Sequence, residues 1–129
     1  QACADYGQAL GTAFQVIDDV LDYAGDSGKM GKNLGDDLRE GKTTLPLICA
    51  MQRGTAQQKA LITSAIQTGA VDLLEQIVEI VRETGALTYS RDAAAEEAKR
   101  AIAAAGQLPQ GPHTACLIQL AAQLLERNN

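Results

Sequence analysis

From about Gln1 to Tyr23 the apolar positions Leu10, Ala13, Phe14, Ile17, Val20, Leu21 and Ala24 recur every three or four residues, the spacing of a helix with one face in a core. The stretch A-G-D-S-G-K-M-G-K-N-L-G-D-D then ends the pattern. Its glycines, serine and alternating charges offer nothing regular to bury, so residues 25 to 35 are expected as a loop with at most a short helical turn. Helical periodicity restarts in K-T-T-L-P-L-I-C-A-M-Q-R-G, with Thr43 or Thr44 as cap, Pro46 in the first turn and Gly54 as stop. T-A-Q-Q-K-A-L-I-T-S-A-I-Q-T-G follows, with Thr55 and Gln58 at capping-box spacing and Gly69 at its end. V-D-L-L-E-Q-I-V-E-I-V-R-E-T-G repeats the format and closes on Gly85. A long alanine-rich helix is expected over about 86 to 105, and Pro112 begins the last one.

Five or six helices joined by short turns predict an all-α helical bundle, with no competing strand pattern and no internal repeat. Composition agrees. Hydrophobic residues make up 46% of the chain but aromatics only 3%, with no tryptophan, so the core must be built from Ala, Leu, Ile and Val. The 129 residues are enough for one domain with a core. They open on a helical pattern already under way, without a methionine or a signal peptide, and the expectation is the C-terminal part of a longer protein.

Eleven basic against 16 acidic residues give a net charge of -5, and no stripe of Lys and Arg interleaves with aromatics, so nucleic acid is not an expected partner. No apolar run approaches the roughly 20 residues of a transmembrane helix. Cys3, Cys49 and Cys116 are odd in number and far apart, with no CxxC and a single histidine, which signals neither a disulfide framework nor a zinc site. They are expected as small buried residues in a reducing cytoplasm.

One feature of the first helix resists the ordinary reading. Asp18, Asp19 and Asp22 lie within one arc of roughly 100°, Gln15 points into the middle of that arc, and the apolar set takes the opposite side. Like charges one turn apart repel, and Asp is a poor helix former. Three carboxylates and an amide suit a hard divalent cation such as Mg²⁺, which removes the repulsion and retains sites for phosphate oxygens. Lys29, Lys32, Arg39 and Lys42 follow on the glycine-rich segment and would supply positive charge for a phosphate. The bland alternative is a solvated acidic face. An EF-hand is excluded, since counting from Asp22 the third position is Ala24 and the sixth is Ser27 rather than Gly.

The order of these elements narrows the choice. G-x-A-F-Q-x-x-D-D-x-x-D, then G-K-x-x-G-x-D-L, then E-G-K-x-T-L-P run without a gap from Gly11 to Leu47. This combination closely resembles the second aspartate-rich region of the trans-isoprenyl diphosphate synthases, the polyprenyl synthetases. Beyond residue 50 the layout looks most like their long-chain bacterial branch.

The resemblance implies the C-terminal part of the isoprenoid synthase fold over residues 1 to 129, with the other half of the synthase absent. It implies a transferase that condenses isopentenyl diphosphate with an allylic diphosphate such as farnesyl diphosphate into a long all-trans chain, an octaprenyl chain for a quinone. Asp18, Asp19 and Asp22 would bind Mg²⁺ that bridges to the allylic diphosphate, with Asp18 the most direct ligand. Gln15, Lys32 and Lys42 match positions that contact the same diphosphate or shield the nascent cation, and Asp37 matches a supporting aspartate. Asp18, Asp19, Lys32 and Lys42 are the expected catalytic set.

A homodimer in the cytoplasm is implied as well. The first aspartate-rich motif and the isopentenyl diphosphate site belong to the other half, so these residues alone are expected to be inactive. A non-catalytic helical subunit of a heteromeric synthase is the rival reading. A terpene cyclase is a further rival, disfavoured by the G-K-x-x-G and E-G-K-x-T-L-P elements.

The remaining candidates read as structural. His113 follows Pro112 at a helix start and has no partner histidine, so a surface or capping role is expected. Phe14 falls on the buried stripe, though in the family this aromatic also borders the cavity, while Tyr6, Gly7 and Gly11 are expected in a crowded helical environment. Ser27 and Ser90 have no neighbouring base, and Met30 and Met51 are expected in packing.

Overall fold

The computed structural model describes residues 1–24, 36–69 and 71–127. Among the described residues the chain forms α1 (Ala2–Ala24), a one-turn α2 (Asp36–Arg39), α3 (Leu45–Arg53) and α4 (Ala56–Thr68). A 3₁₀ turn (Val71–Leu73) leads into α5 (Leu74–Glu83), followed by α6 (Ala86–Ala105) and α7 (Pro112–Arg127). No strand is present among them, and the all-α expectation holds. The loop expected at 25 to 35 lies outside the described residues, as do Lys29, Lys32, Ser27 and Met30. No described helix is long and apolar enough to cross a membrane.

The helix ends follow local chemistry. At the start of α4 the Thr55 N–H donates to Gln58 Oε1 at 2.9 Å and the Gln58 N–H donates to Thr55 Oγ1 at 3.1 Å, a complete capping box. At its end Gly69 takes φ +64, and a Cβ there would lie 3.1 Å from the Arg39 carbonyl oxygen, so this turn is closed to other residues on two counts. Thr44 occupies the N-cap of α3 with extended backbone, yet its hydroxyl makes no capping bond. Pro46 in the first turn sets that start instead. The helix not foreseen is α2, where Asp36 and Asp37 open a single turn and Arg39 closes it, charges that suit the helix dipole.

The chain divides into two compact units, Gln1–Ile17 with Arg91–Asn129 and Asp18–Ser90, so that α1 and α6 contribute to both. The first unit is built on small side chains. Ala9, Ala101, Ala104, Ala105 and Ala121 form its core with Tyr6, and Leu10, Ile102, Leu117 and Ile118 pack against them. The Tyr6 hydroxyl donates to the Leu117 carbonyl at 2.8 Å and ties α1 to α7.

Three expectations fail in this unit. Phe14 is 50% exposed rather than buried, and lines an open groove of about 480 Å³ with Leu10, Leu120 and Leu124. The Arg127 guanidinium lies 5.6 Å from its ring centroid, at cation–π distance. Gly7 and Gly11 sit in open space, since a Cβ on either would meet no atom within 4 Å. Cys3 and Cys116 are exposed, and of the cysteines only Cys49, in the second unit, is buried. In each case helical periodicity gave the direction of the side chain but not whether another element covers it.

In the second unit α3 packs against α4 and α5, and α2 against α4. Leu38, Leu47, Ala50, Ile62, Ala65, Ile77 and Val81 are fully buried, as are Val20 and Tyr23 of α1 to within 2%. Burial of such side chains, at about 1.5–3 kcal/mol for each large aliphatic, is the dominant favourable contribution here. Burial pushes the Cys49 thiol above its ordinary range, against smaller opposing effects from Ser90 and Arg53.

Candidate functional site

The second unit buries charge as well as hydrocarbon. Asp19, Asp22 and Asp37 are 9%, 2% and 6% exposed, while Asp18 is only half-buried. The sequence placed the α1 carboxylates opposite the core, and for Asp19 and Asp22 that placement is corrected by the structure. The segment from Asp36 to Thr44 turns back against this face of α1, and its first turn supplies a backbone donor: the Asp37 N–H bonds Asp22 Oδ2 at 3.2 Å.

The same segment brings in Lys42. Its N–H donates to the Asp37 carbonyl at 2.9 Å, closing a turn in which Gly41 takes φ +73. The Lys42 ammonium then lies 3.9 Å from Asp37 Oδ1 and 2.8 Å from Glu40 Oε2. Arg39 pairs with Asp36 at 2.6 Å on the outer side of the turn. Of the residues expected to act, the structure therefore brings Asp22, Asp37 and Lys42 together, with Asp18 and Asp19 on the adjoining turn of α1. Gln15 stands on α1 one turn before Asp18 and is exposed. Lys32 lies outside the described residues.

Several carboxylates in one buried region destabilise one another unless a cation compensates them. The Lys42 side chain is 58% exposed and shared with Glu40, which limits what it offsets. Asp37 Oδ2 is buried and accepts no hydrogen bond from the described residues. The donor set is entirely carboxylate oxygen, which suits a hard divalent ion. Among the described residues no three acidic, cysteine or histidine side chains close a metal cage by themselves.

Tyr23, next to Asp22, is fully buried. Burial drives its hydroxyl pKa far above the ordinary tyrosine value, the negative charges of Asp22, Asp37 and Asp19 push it further, and the adjacent Thr44 hydroxyl opposes them. Although the two hydroxyls are neighbours, neither Tyr23 Oη nor Thr44 Oγ1 makes a well-formed hydrogen bond among the described residues, and both atoms are buried. Each such atom costs about 1–3 kcal/mol when left unsatisfied. The spacing G-x-D-L singled out Asp37. Nothing in the sequence singled out Tyr23, which reads as one more core aromatic.

Comparison with known proteins gives a consistent picture. The family model described as polyprenyl synthetase matches residues 1–81. The chain is 50% identical over 125 residues to the octaprenyl diphosphate synthase of Escherichia coli strain K12, covering 96% of this chain and 39% of that protein. It is 48% identical over 118 residues to the all-trans-nonaprenyl-diphosphate synthase (geranyl-diphosphate specific) of Rhodobacter capsulatus, covering 92% of this chain and 36% of that protein. Among solved structures, the polyprenyl synthase of Caulobacter crescentus, crystallised with calcium and isoprenyl diphosphate, superposes with a TM-score of 0.86 at 38% identity, covering 99% of this chain and 40% of that one. The chain thus spans about two fifths of the length of the relatives it matches.

Proposed function

This chain belongs to the polyprenyl synthetase family, and from that premise we propose that it forms the C-terminal, diphosphate-binding part of a Mg²⁺-dependent trans-polyprenyl diphosphate synthase. The observation that carries the reading is the buried carboxylate group of Asp19, Asp22 and Asp37 with Lys42 beside it, on the F-Q-x-x-D-D-x-x-D helix and the strap that folds against it. The Caulobacter relative's calcium and isoprenyl diphosphate support it from outside the chain.

In this reading Asp18, Asp19 and Asp22 would hold Mg²⁺, with Asp18, the most accessible of them, expected as its most direct ligand. When bound, the ion stabilises the negative charge that develops on the leaving diphosphate. Lys42 would bring its ammonium to the diphosphate oxygens, Lys32 is assigned the same role by its place in the G-K-x-x-G motif alone, and Gln15 offers an amide on the same helix as the aspartates. Asp37 holds Lys42 and, through its backbone N–H, the orientation of Asp22.

No protein nucleophile is required. The allylic carbon–oxygen bond breaks with its electron pair going to diphosphate. The double bond of isopentenyl diphosphate then forms the new carbon–carbon bond, and the proton lost from the adjacent carbon passes to the released diphosphate. Each cycle lengthens the chain by one isoprene unit.

The substrate pair is farnesyl and isopentenyl diphosphate, and the product is octaprenyl diphosphate for a quinone side chain in the cytoplasm, made by a homodimer of the longer protein. Similar identity to octaprenyl and nonaprenyl synthases makes product length the finest-grained part of this reading.

The test is an incubation of the longer protein with both diphosphates and Mg²⁺, followed by chromatography of the product. Long-chain polyprenyl diphosphate is expected from the longer protein and none from residues 1 to 129, because one wall of the site cannot orient both substrates. Product from the short chain would overturn the division of labour, and no product from the longer one would overturn the activity.

A further inference from the structure

Tyr23 is fully buried beside three carboxylates, and the mechanism above gives it no task. Its hydroxyl, Thr44 Oγ1 and Asp37 Oδ2 are three buried polar atoms without a hydrogen bond among the described residues, and all three belong to the second unit. An ordinary core aromatic needs no hydroxyl. Phenylalanine would fill the same space without bringing a polar atom into the neighbourhood of Asp22, Asp37 and Asp19. The chemistry of the three atoms is complementary: two hydroxyls can donate, and a carboxylate oxygen can accept two bonds. A fully buried donor of this kind is satisfied by a neighbouring acceptor or by a shared internal water touching two to four polar groups.

We propose that Tyr23 and Thr44 form a hydroxyl clamp on Asp37 through one shared internal water, and that Tyr23 is thereby a positioning residue for the Mg²⁺–diphosphate site. The chain of support is short. The clamp fixes the Asp37 carboxylate, Asp37 holds Asp22 through its N–H at 3.2 Å, and its other carboxylate oxygen faces Lys42 at 3.9 Å. Groups one step removed from a metal ligand set its orientation, and their loss costs about 10- to 100-fold in metal affinity or activity. Thr44 follows from the same geometry: it occupies an N-cap position without using its hydroxyl as a cap, which leaves that hydroxyl available to the clamp.

This inference rests on the proposed function, and its test separates the two. In the longer protein, Tyr23→Phe, Thr44→Val and Thr44→Ser are compared with the unsubstituted enzyme. The readouts are the Mg²⁺ concentration giving half-maximal prenyl transfer and, without turnover, the thermal shift produced by titrating Mg²⁺ together with inorganic diphosphate. The expected result is a rise of about tenfold in the Mg²⁺ requirement for Tyr23→Phe and for Thr44→Val, seen in both readouts and relieved by excess Mg²⁺. Thr44→Ser, which keeps the hydroxyl, should stay near the unsubstituted value, and the double variant should lose no more than either single one.

A merely structural role would lower the melting temperature without moving the Mg²⁺ dependence, and that outcome overturns the clamp. So does a Thr44→Val protein with unchanged Mg²⁺ dependence, whatever Tyr23→Phe does to folding. Absence of Mg²⁺-dependent transfer by the unsubstituted protein would instead refute the functional reading.

Discussion

The two stretches of α1 solve opposite problems. Up to Ile17 the helix buries Ala9, Ala13 and Tyr6 in a unit whose core is mostly methyl groups, where the Tyr6 hydroxyl bonds the Leu117 carbonyl. From Asp18 onward the same helix buries two carboxylates and a tyrosine hydroxyl beside a third carboxylate. The first arrangement is complete as it stands, because alanine faces need only close approach. The second gathers Asp19, Asp22 and Asp37 in one buried region. A region that brings buried like charges together is where function is expected, and a region closed by apolar contacts is scaffold.

Substitutions can break that contrast, and the largest effect is expected at Asp22. Asp22→Asn in the longer protein retains an oxygen to accept the Asp37 N–H. Folding should therefore survive, while turnover should fall by at least about a hundredfold, as for the loss of one preorganised charge-stabilising group. Steady-state kinetics over a range of Mg²⁺ concentrations measure this. Normal turnover would place Asp22 in the same class as the alanines of the first unit, a residue of architecture alone.

The converse substitution sharpens the contrast from the other side. Ala105 is fully buried at the end of α6 among Tyr6, Ala9 and Ala121. Enlarging it to leucine overpacks the site and should cost about 1–3 kcal/mol of stability. Thermal denaturation of Ala105→Leu in the longer protein should show the loss, and the Mg²⁺ requirement of the folded fraction should not move. A changed Mg²⁺ requirement without loss of stability would mean that the alanine unit takes part in the chemistry.

Much of this division is legible in the sequence alone. Periodicity and punctuation located α3 to α7, since Pro46, the Thr55–Gln58 box, Gly69, Gly85 and Pro112 are local signals that act through a few backbone torsions. The motif order from Gly11 to Leu47 singled out Asp22, Asp37 and Lys42, which the structure brings together.

What stayed hidden depends on which element covers which face. A helical wheel puts Asp22 opposite the apolar stripe, but the Asp36 to Thr44 strap turns that face into an interior. The same wheel puts Phe14 on the stripe, where half of its surface remains open. Tyr23 carried no signal because a tyrosine in a hydrophobic pattern is indistinguishable from a phenylalanine until the neighbours of its hydroxyl are known.

The smallest expected effect concerns the bond that ties α1 to α7 in the alanine unit, and it also depends on pH. Tyr6→Phe removes the 2.8 Å bond to the Leu117 carbonyl, a loss of about 0.5–1.5 kcal/mol. Burial raises the Tyr6 hydroxyl pKa above its ordinary value, so the fold favours the protonated form. The contribution from this group is then fully present below the unfolded tyrosine pKa of about 10 and declines as pH rises above it, because the unfolded chain releases the proton first. The stability difference between the unsubstituted protein and Tyr6→Phe should therefore be constant from neutral pH to about pH 9 and shrink at higher pH. Other tyrosines cancel in that difference, which isolates Tyr6. Denaturant titrations at a series of pH values measure it, with the Mg²⁺ requirement as a control that should not change. A difference that grew with alkaline pH would mean that the phenolate, not the phenol, is the form the fold prefers.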